Sequence, residues 1–189
     1  GEWTNASGNV YFGHTRLAIL DPTPTGRQPM VDSSGRFTIT FNGEVYNHLD
    51  LRPSLPSIKW RGNSDTETLV ELLAVHGLGT LSKLKGMFAF AIHDASDDSV
   101  LLVRDRLGIK PLWVRSTEKY HRFGSEVRAL LKPGEFKPNK QFLNEYIGFG
   151  RIPGTGEIFD GVQSVPPGGW LRIHINGKIE MGNWWPTGK

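Results

Sequence analysis

Arg36-Phe37-Thr38-Ile39-Thr40-Phe41-Asn42-Gly43-Glu44-Val45-Tyr46-Asn47 is the stretch from which the rest of this sequence is read. Phe37, Ile39 and Phe41 alternate with Thr38, Thr40 and Asn42, so Arg36 to Asn42 is a strand with one apolar face. Asp32 to Gly35 forms the turn before it, and Gly43 is read as its sharp end. Asn42-Gly43 carries two readings. Both residues tolerate positive φ, so the pair suits a turn, and the pattern favours that. Alternatively, the Asn42 amide and the Gly43 N–H point at one spot, the donor pair an oxyanion hole requires.

Outward from this strand, the punctuation predicts further elements. Val10 to Leu20 is apolar and free of proline, a buried strand ending at Asp21-Pro22. Asp21 to Pro29, with three prolines, is a loop. Ser64-Asp65-Thr66-Glu67 has the Ser-x-x-Glu pattern of a capping box. Leu69, Leu72 and Leu73 follow at helical spacing, and Gly77 suits the C′ position. A shorter helix is predicted over Thr80 to Lys85. Met87 to His93 and Ser99 to Arg104 are apolar strands joined by a hairpin loop at Asp94 to Asp98. Leu112 to Arg115 and Arg122 to Phe123 form a second short pair. Helices are predicted over Ser125 to Leu131 and Asn139 to Ile147. Trp170 to Ile175 and Lys178 to Glu180 flank Asn176-Gly177, read as a type I′ turn. Paired strands with flanking helices give a layered α+β fold of antiparallel sheets.

Composition bounds the function. Hydrophobic residues are 38% of 189 and charged residues 22%, enough for a core. A net charge of +3 with no basic block gives little support to nucleic acid as a partner. Cysteine is absent, which removes disulfides, thiolate metal sites and a cysteine nucleophile within these residues. The six histidines are scattered, so no metal site is expected. No apolar run is long enough to span a bilayer, no signal peptide is recognised, and the expected location is cytoplasmic.

Three further clusters carry alternatives. Arg16 interrupts an apolar stretch; it is either an edge arginine with its head in water or a fork for a carboxylate. Asp65 is either an acid favoured in a first helical turn or the partner of a ligand ammonium. Arg104-Asp105-Arg106-Leu107-Gly108-Ile109-Lys110-Pro111-Leu112 is either a charged loop or a nucleic-acid patch; it lacks the interleaved aromatics of a nucleic-acid platform, which favours a structural salt-bridge loop.

Taken together, these strings resemble the glutaminase domain of class II glutamine amidotransferases, most closely that of glutamine-dependent asparagine synthetases. The resemblance runs through Gly-His-Thr-Arg-Leu-Ala-Ile-Leu-Asp from Gly13, Gly-Arg-Gln-Pro-Met from Gly26, Phe-Asn-Gly-Glu-Val-Tyr-Asn from Phe41 and Ser-Asp-Thr-Glu from Ser64. It continues through Gly-Met-Phe-Ala-Phe-Ala from Gly86, Arg-Asp-Arg-Leu-Gly-Ile-Lys-Pro-Leu from Arg104, Gly-Ser-Glu from Gly124 and Val-Pro-Pro-Gly-Gly from Val165. It implies a four-layer αββα sandwich of the Ntn-hydrolase type. It implies hydrolysis of the glutamine side-chain amide, with ammonia passed to an ATP-using synthetase domain that amidates aspartate. By position, Arg16 matches the residue that holds the α-carboxylate, with Leu17, Ile19 and Leu20 lining the same pocket. Asn42 and Gly43 match the oxyanion pair, and Asp65 and Glu44 the groups that receive the α-ammonium.

The sequence departs from that family in one decisive respect. The family's nucleophile is an N-terminal cysteine, followed by a His-Arg-Gly-Pro-Asp string; neither occurs here. The expectation is a domain that starts late in the family pattern, lacks one internal strand and hydrolyses no glutamine by itself. Residues 1–181 are read as the domain and 182–189 as a linker toward a synthetase domain. The chain needs no cofactor; ATP and Mg²⁺ belong to that second domain. L-glutamine, the synthetase domain and a second copy in a homodimer are the expected partners. The alternative is a catalytically dead amino-acid-binding or regulatory module.

Overall fold

The computed structural model describes residues 1–17, 20–150, 159 and 161–186. Its strands are β1 (Glu2–Thr4), β2 (Tyr11–Gly13), β3 (Met30–Val31), β4 (Phe37–Val45), β5 (Gly86–Asp94), β6 (Ser99–Arg104), β7 (Trp113–Ser116), β8 (His121–Gly124), β9 (Val162–Ser164), β10 (Gly169–Ile173) and β11 (Ile179–Asn183). Its α-helices are α1 (His48–Leu51), α2 (Asp65–His76) and α3 (Lys140–Phe149). β1 and β2 form a hairpin. The main sheet runs β11-β10-β6-β5-β4-β3, and a smaller one runs β8-β7-β9; every pairing is antiparallel.

Period two puts the two faces of the main sheet into different cores. Ile39, Phe41 and Val45 of β4, with Phe88, Phe90 and Ile92 of β5, pack against Leu69, Val70, Leu72 and Leu73 of α2. Ala89, Ala91, Val100, Leu102 and Leu171 on the other face pack against Phe12, Leu112, Val114 and Val165. Beyond the small sheet, Val162, Leu130 and Leu131 form a third cluster with Trp113, Val127 and Phe159. These three seams stack α2 on the main sheet, the main sheet on the small one and a short 3-10 segment outside that, an α+β sandwich of antiparallel sheets as the resemblance implied. One outer layer is thin: where a helix was predicted over Ser125 to Leu131 there is only a 3-10 turn at Val127–Ala129.

Other differences are equally local. Of the strand predicted over Val10 to Leu20, Tyr11–Gly13 is strand among the described residues, pairing with β1 with Thr4 opposite Tyr11 and Glu2 opposite Gly13; Ala18 and Ile19 lie outside them. β4 does not end at Gly43; it continues to Val45, with β5 pairing it throughout. The favoured turn reading of Asn42-Gly43 is therefore wrong. Gly43 holds φ +152°, and a β-carbon there would collide with the Met87 carbonyl and lie 2.7 Å from Phe88 Cα. The glycine allows close strand contact instead of a turn.

The α2 start is half a capping box. Ser64 Oγ accepts from Thr66 N at 3.1 Å, but Glu67 does not reach back to Ser64. Glu67 instead takes the backbone N–H groups of Arg61 and Gly62, at 2.8 and 3.1 Å, and the Arg61 side chain. Gly77 closes α2 with φ +63°, and a 3-10 segment, Gly77–Lys83, replaces the predicted Thr80 to Lys85 helix. The β10–β11 hairpin exists, but its loop is Ile175-Asn176-Gly177. Gly177 N donates to His174 O, and only Gly177 has positive φ, so this is a type I turn with a glycine bulge. Gly182 and Asn183 lie in β11, and Trp184 stacks on Phe88 and donates to the Arg104 carbonyl at 2.9 Å. The packed unit thus extends past Met181 into the stretch read as a linker.

Candidate functional site

Between the two sheets lies a cavity of about 660 Å³. It exists because the cross-strand pairs facing the gap are small: Thr40 lies opposite Ala91, and Asn42 opposite Ala89. Farther along, Val100, Leu102 and Leu171 fill the same interface. Arg16, Leu17, Leu20, Asn42, Gly43, Glu44 and Asp65 all line the cavity. The structure therefore brings together every predicted site residue but Ile19, which lies outside the described residues.

Arg16 turns inward. Its Nη2 donates to the Leu20 carbonyl at 2.6 Å and to the Asp21 carbonyl, which holds the guanidinium against the wall. Among the described residues Nη1 and Nε have no hydrogen-bond partner, and their N–H groups suit a carboxylate. Leu17 is 83% exposed and forms rim, not floor. Asp21, with φ +48°, organises the loop beneath: it accepts from Thr23 and Thr25 hydroxyls and from Asn63 N. Those hydrogen bonds, the hydroxyls first, hold its carboxyl at about 2.

Across the cavity, Asp65 is only 5% exposed. Its Oδ2 accepts from Val45 N at 2.9 Å and its Oδ1 from Thr66 N at 2.8 Å. Burial, the largest influence, nevertheless raises its carboxyl, and the charge on Glu44 adds to this. A cation placed beside both acids would relieve that repulsion.

The free edge of β4 supplies the donors. Antiparallel pairing turns the N–H groups of alternate residues away from the partner strand. Phe41 N goes to Gln28 Oε1 at 2.7 Å, and Val45 N goes to Asp65 Oδ2. Gly43 N, between them on the same edge, is taken by neither side chain. Asn42 projects into the cavity and its Nδ2 donates to Ser125 Oγ at 3.0 Å. Two donors thus sit at adjacent residues of a cavity that is also lined by the Arg16 cation and the Asp65 and Glu44 acids.

Several cavity residues were not assigned roles from sequence. Gln28 occurs in a matched string, but only the folded chain shows its amide bridging Phe41 N and Thr66 Oγ1. His14 Nδ1 lies 3.1 Å from Thr40 Oγ1, and burial, then the N-terminal charge, lowers its pKa. Ser125 and Lys110 reach the cavity from distant loops. The Arg104–Lys110 loop is structural, as expected, but held by backbone bonds more than by ion pairs. Asp105 accepts from Phe88, Leu107, Ile109 and Lys110 N–H groups, and Arg104 donates to Lys110, Gly108 and Val165 carbonyls. Among the described residues no group of three or more His, Cys, Asp or Glu could hold a metal, and no helix is long and apolar enough to cross a membrane.

Known proteins share this architecture. The structure is similar to glutamine phosphoribosylpyrophosphate amidotransferase from B. subtilis complexed with ADP and GMP, with a TM-score of 0.65 and 20% identity over 92% of this chain and 34% of that one. At that identity the likeness shows the fold alone, a sandwich of antiparallel sheets. A family model described as a glutamine amidotransferase domain matches residues 1–185, and the chain belongs to that family. It is 36% identical over 185 residues to asparagine synthetase [glutamine-hydrolyzing] 3 of Bacillus subtilis (strain 168), covering 94% of this chain and 30% of that protein. It is 32% identical over 186 residues to amidase chry2 of Gibberella zeae, covering 98% and 27%. The chain thus spans less than a third of the length of these relatives.

Proposed function

We propose that this domain binds L-glutamine, with its α-carboxylate on Arg16, its α-ammonium between Asp65 and Glu44, and its side-chain carbonyl at Asn42 Nδ2 and Gly43 N. The observation that carries this reading is that one cavity is lined by a cation, two acids and an adjacent pair of N–H donors, the groups that a zwitterion with a terminal amide calls for. Arginine suits the carboxylate because its fork offers two parallel donors. In a protein like the asparagine synthetases it resembles, the domain would release ammonia from glutamine for a synthetase domain joined beyond the packed unit. ATP and Mg²⁺ would serve that second domain, and the setting would be cytoplasmic.

Hydrolysis needs a nucleophile, and these 189 residues contain no cysteine. In this reading the chain by itself binds glutamine and releases no ammonia, as an amino-acid-binding module would. Calorimetric titration with L-glutamine, alongside an ammonia assay, tests it. Binding without ammonia is expected. Substituting Arg16→Ala should weaken L-glutamine at least ~tenfold, as loss of a charged hydrogen bond does. The same variant should leave L-glutaminamide, which lacks the carboxylate, unaffected. Equal weakening of both ligands would remove Arg16 from the assigned role.

A further inference from the structure

Asn42 stands on the face of β4 that looks across the cavity, opposite Ala89. Nothing so small as alanine can hold its carboxamide. With two free torsions, that group could present either its oxygen or its nitrogen to a ligand, and only the nitrogen donates. Ser125 follows β8 in the other sheet, 83 positions further along the chain. Its hydroxyl accepts from Asn42 Nδ2 at 3.0 Å, its one hydrogen bond among the described residues. Both residues line the cavity and both are half-buried.

We infer that Ser125 is a positioning residue: by accepting one Asn42 Nδ2 hydrogen across the gap between the sheets, it turns the amide end of Asn42 into the cavity, beside the Gly43 N–H. The second Nδ2 hydrogen is then left for a ligand oxygen. An amide held before the ligand arrives loses less freedom on binding. The inference rests on the glutamine reading only in taking that oxygen as the side-chain carbonyl of glutamine.

The test uses the ¹⁵N-labelled chain with Ser125→Ala and Ser125→Thr, since threonine keeps the hydroxyl. Without ligand, Ser125→Ala should move the Asn42 side-chain amide signals toward those of a solvated carboxamide, and Ser125→Thr should restore them. Signals unchanged in Ser125→Ala would overturn the inference. In titrations, Ser125→Ala should weaken L-glutamine about three- to tenfold, the range of one neutral hydrogen bond. It should leave L-norvaline unchanged, because norvaline carries the α-groups but no side-chain carbonyl. Equal loss for both ligands would make Ser125 a general structural residue and overturn the positioning role. Failure of the unsubstituted chain to bind either amino acid would overturn the glutamine reading instead; the amide signals, which need no ligand, would still decide for or against the Ser125–Asn42 link.

Discussion

Asp65 is a buried carboxylate held by two backbone N–H groups, and its ionisation carries a sign that can be measured. Burial raises its folded pKa above the ordinary value of 3.8. The folded state therefore binds this proton more tightly than the unfolded chain does. Asp65 adds stability in full below the ordinary value and loses it as pH rises through the raised folded value. At neutral pH the ionised group opposes folding, and a ligand ammonium would offset that. L-glutamine affinity should accordingly fall on acidification, beginning above the ordinary aspartate range. Titration calorimetry between about pH 8 and about pH 4 should show this acid limb, and Asp65→Asn should abolish it together with most of the affinity. Gly43 is the second residue whose neighbours dictate its identity. Gly43→Ala would meet β5 backbone at the Met87 carbonyl and Phe88 Cα, at a φ that alanine rarely adopts. It should cost about 1–3 kcal/mol or more, read from denaturant unfolding.

At the scale of elements, the α2 N-terminus joins stability to the site. Ser64 caps the helix alone, since Glu67 is drawn off to the Arg61–Gly62 backbone. Ser64→Ala should therefore cost about 1 kcal/mol, seen as a lowered Tm. Because Asp65 follows directly, the same change should also weaken glutamine. The Ser-x-x-Glu pattern was legible as a helix start, but which donors the glutamate takes was not: Arg61 and Gly62 approach it only through the loop that precedes the helix. The β4 edge teaches the same lesson. Alternation in Phe37, Ile39 and Phe41 predicted the strand, yet its true length depended on β5 supplying a partner as far as Gly86.

For the molecule as a whole, the seam between the sheets is the vulnerable layer. Leu102 is fully buried there among Ala89, Ala91, Val114 and Leu171, in the same seam that opens into the cavity. Leu102→Ala should cost about 2–5 kcal/mol, with the spread set by how far the sheets can close on the gap. If the sheets close on the gap, the geometry of the Ser125–Asn42 link across the seam should shift as well, and the Asn42 amide signals would report that in the folded fraction.

Local pattern determined much of this protein. Period-two alternation, the helix cap, the hairpin pairs and the order of strings such as Phe41-Asn42-Gly43-Glu44 are short-range features, and they carried the α+β class, the family and the candidates Arg16, Asn42, Gly43, Glu44 and Asp65. Tertiary structure decided what those residues face. Whether Asn42-Gly43 is a turn or a donor pair depends on β5 lying within contact of Gly43. Whether Gly43 N is free depends on Gln28 and Asp65 claiming the N–H groups on either side. Ser125 and Gln28 became site residues only when packing brought them beside β4. Hydrogen bonds and cavities are made between segments distant along the chain, and no local pattern encodes the distance that separates them in space.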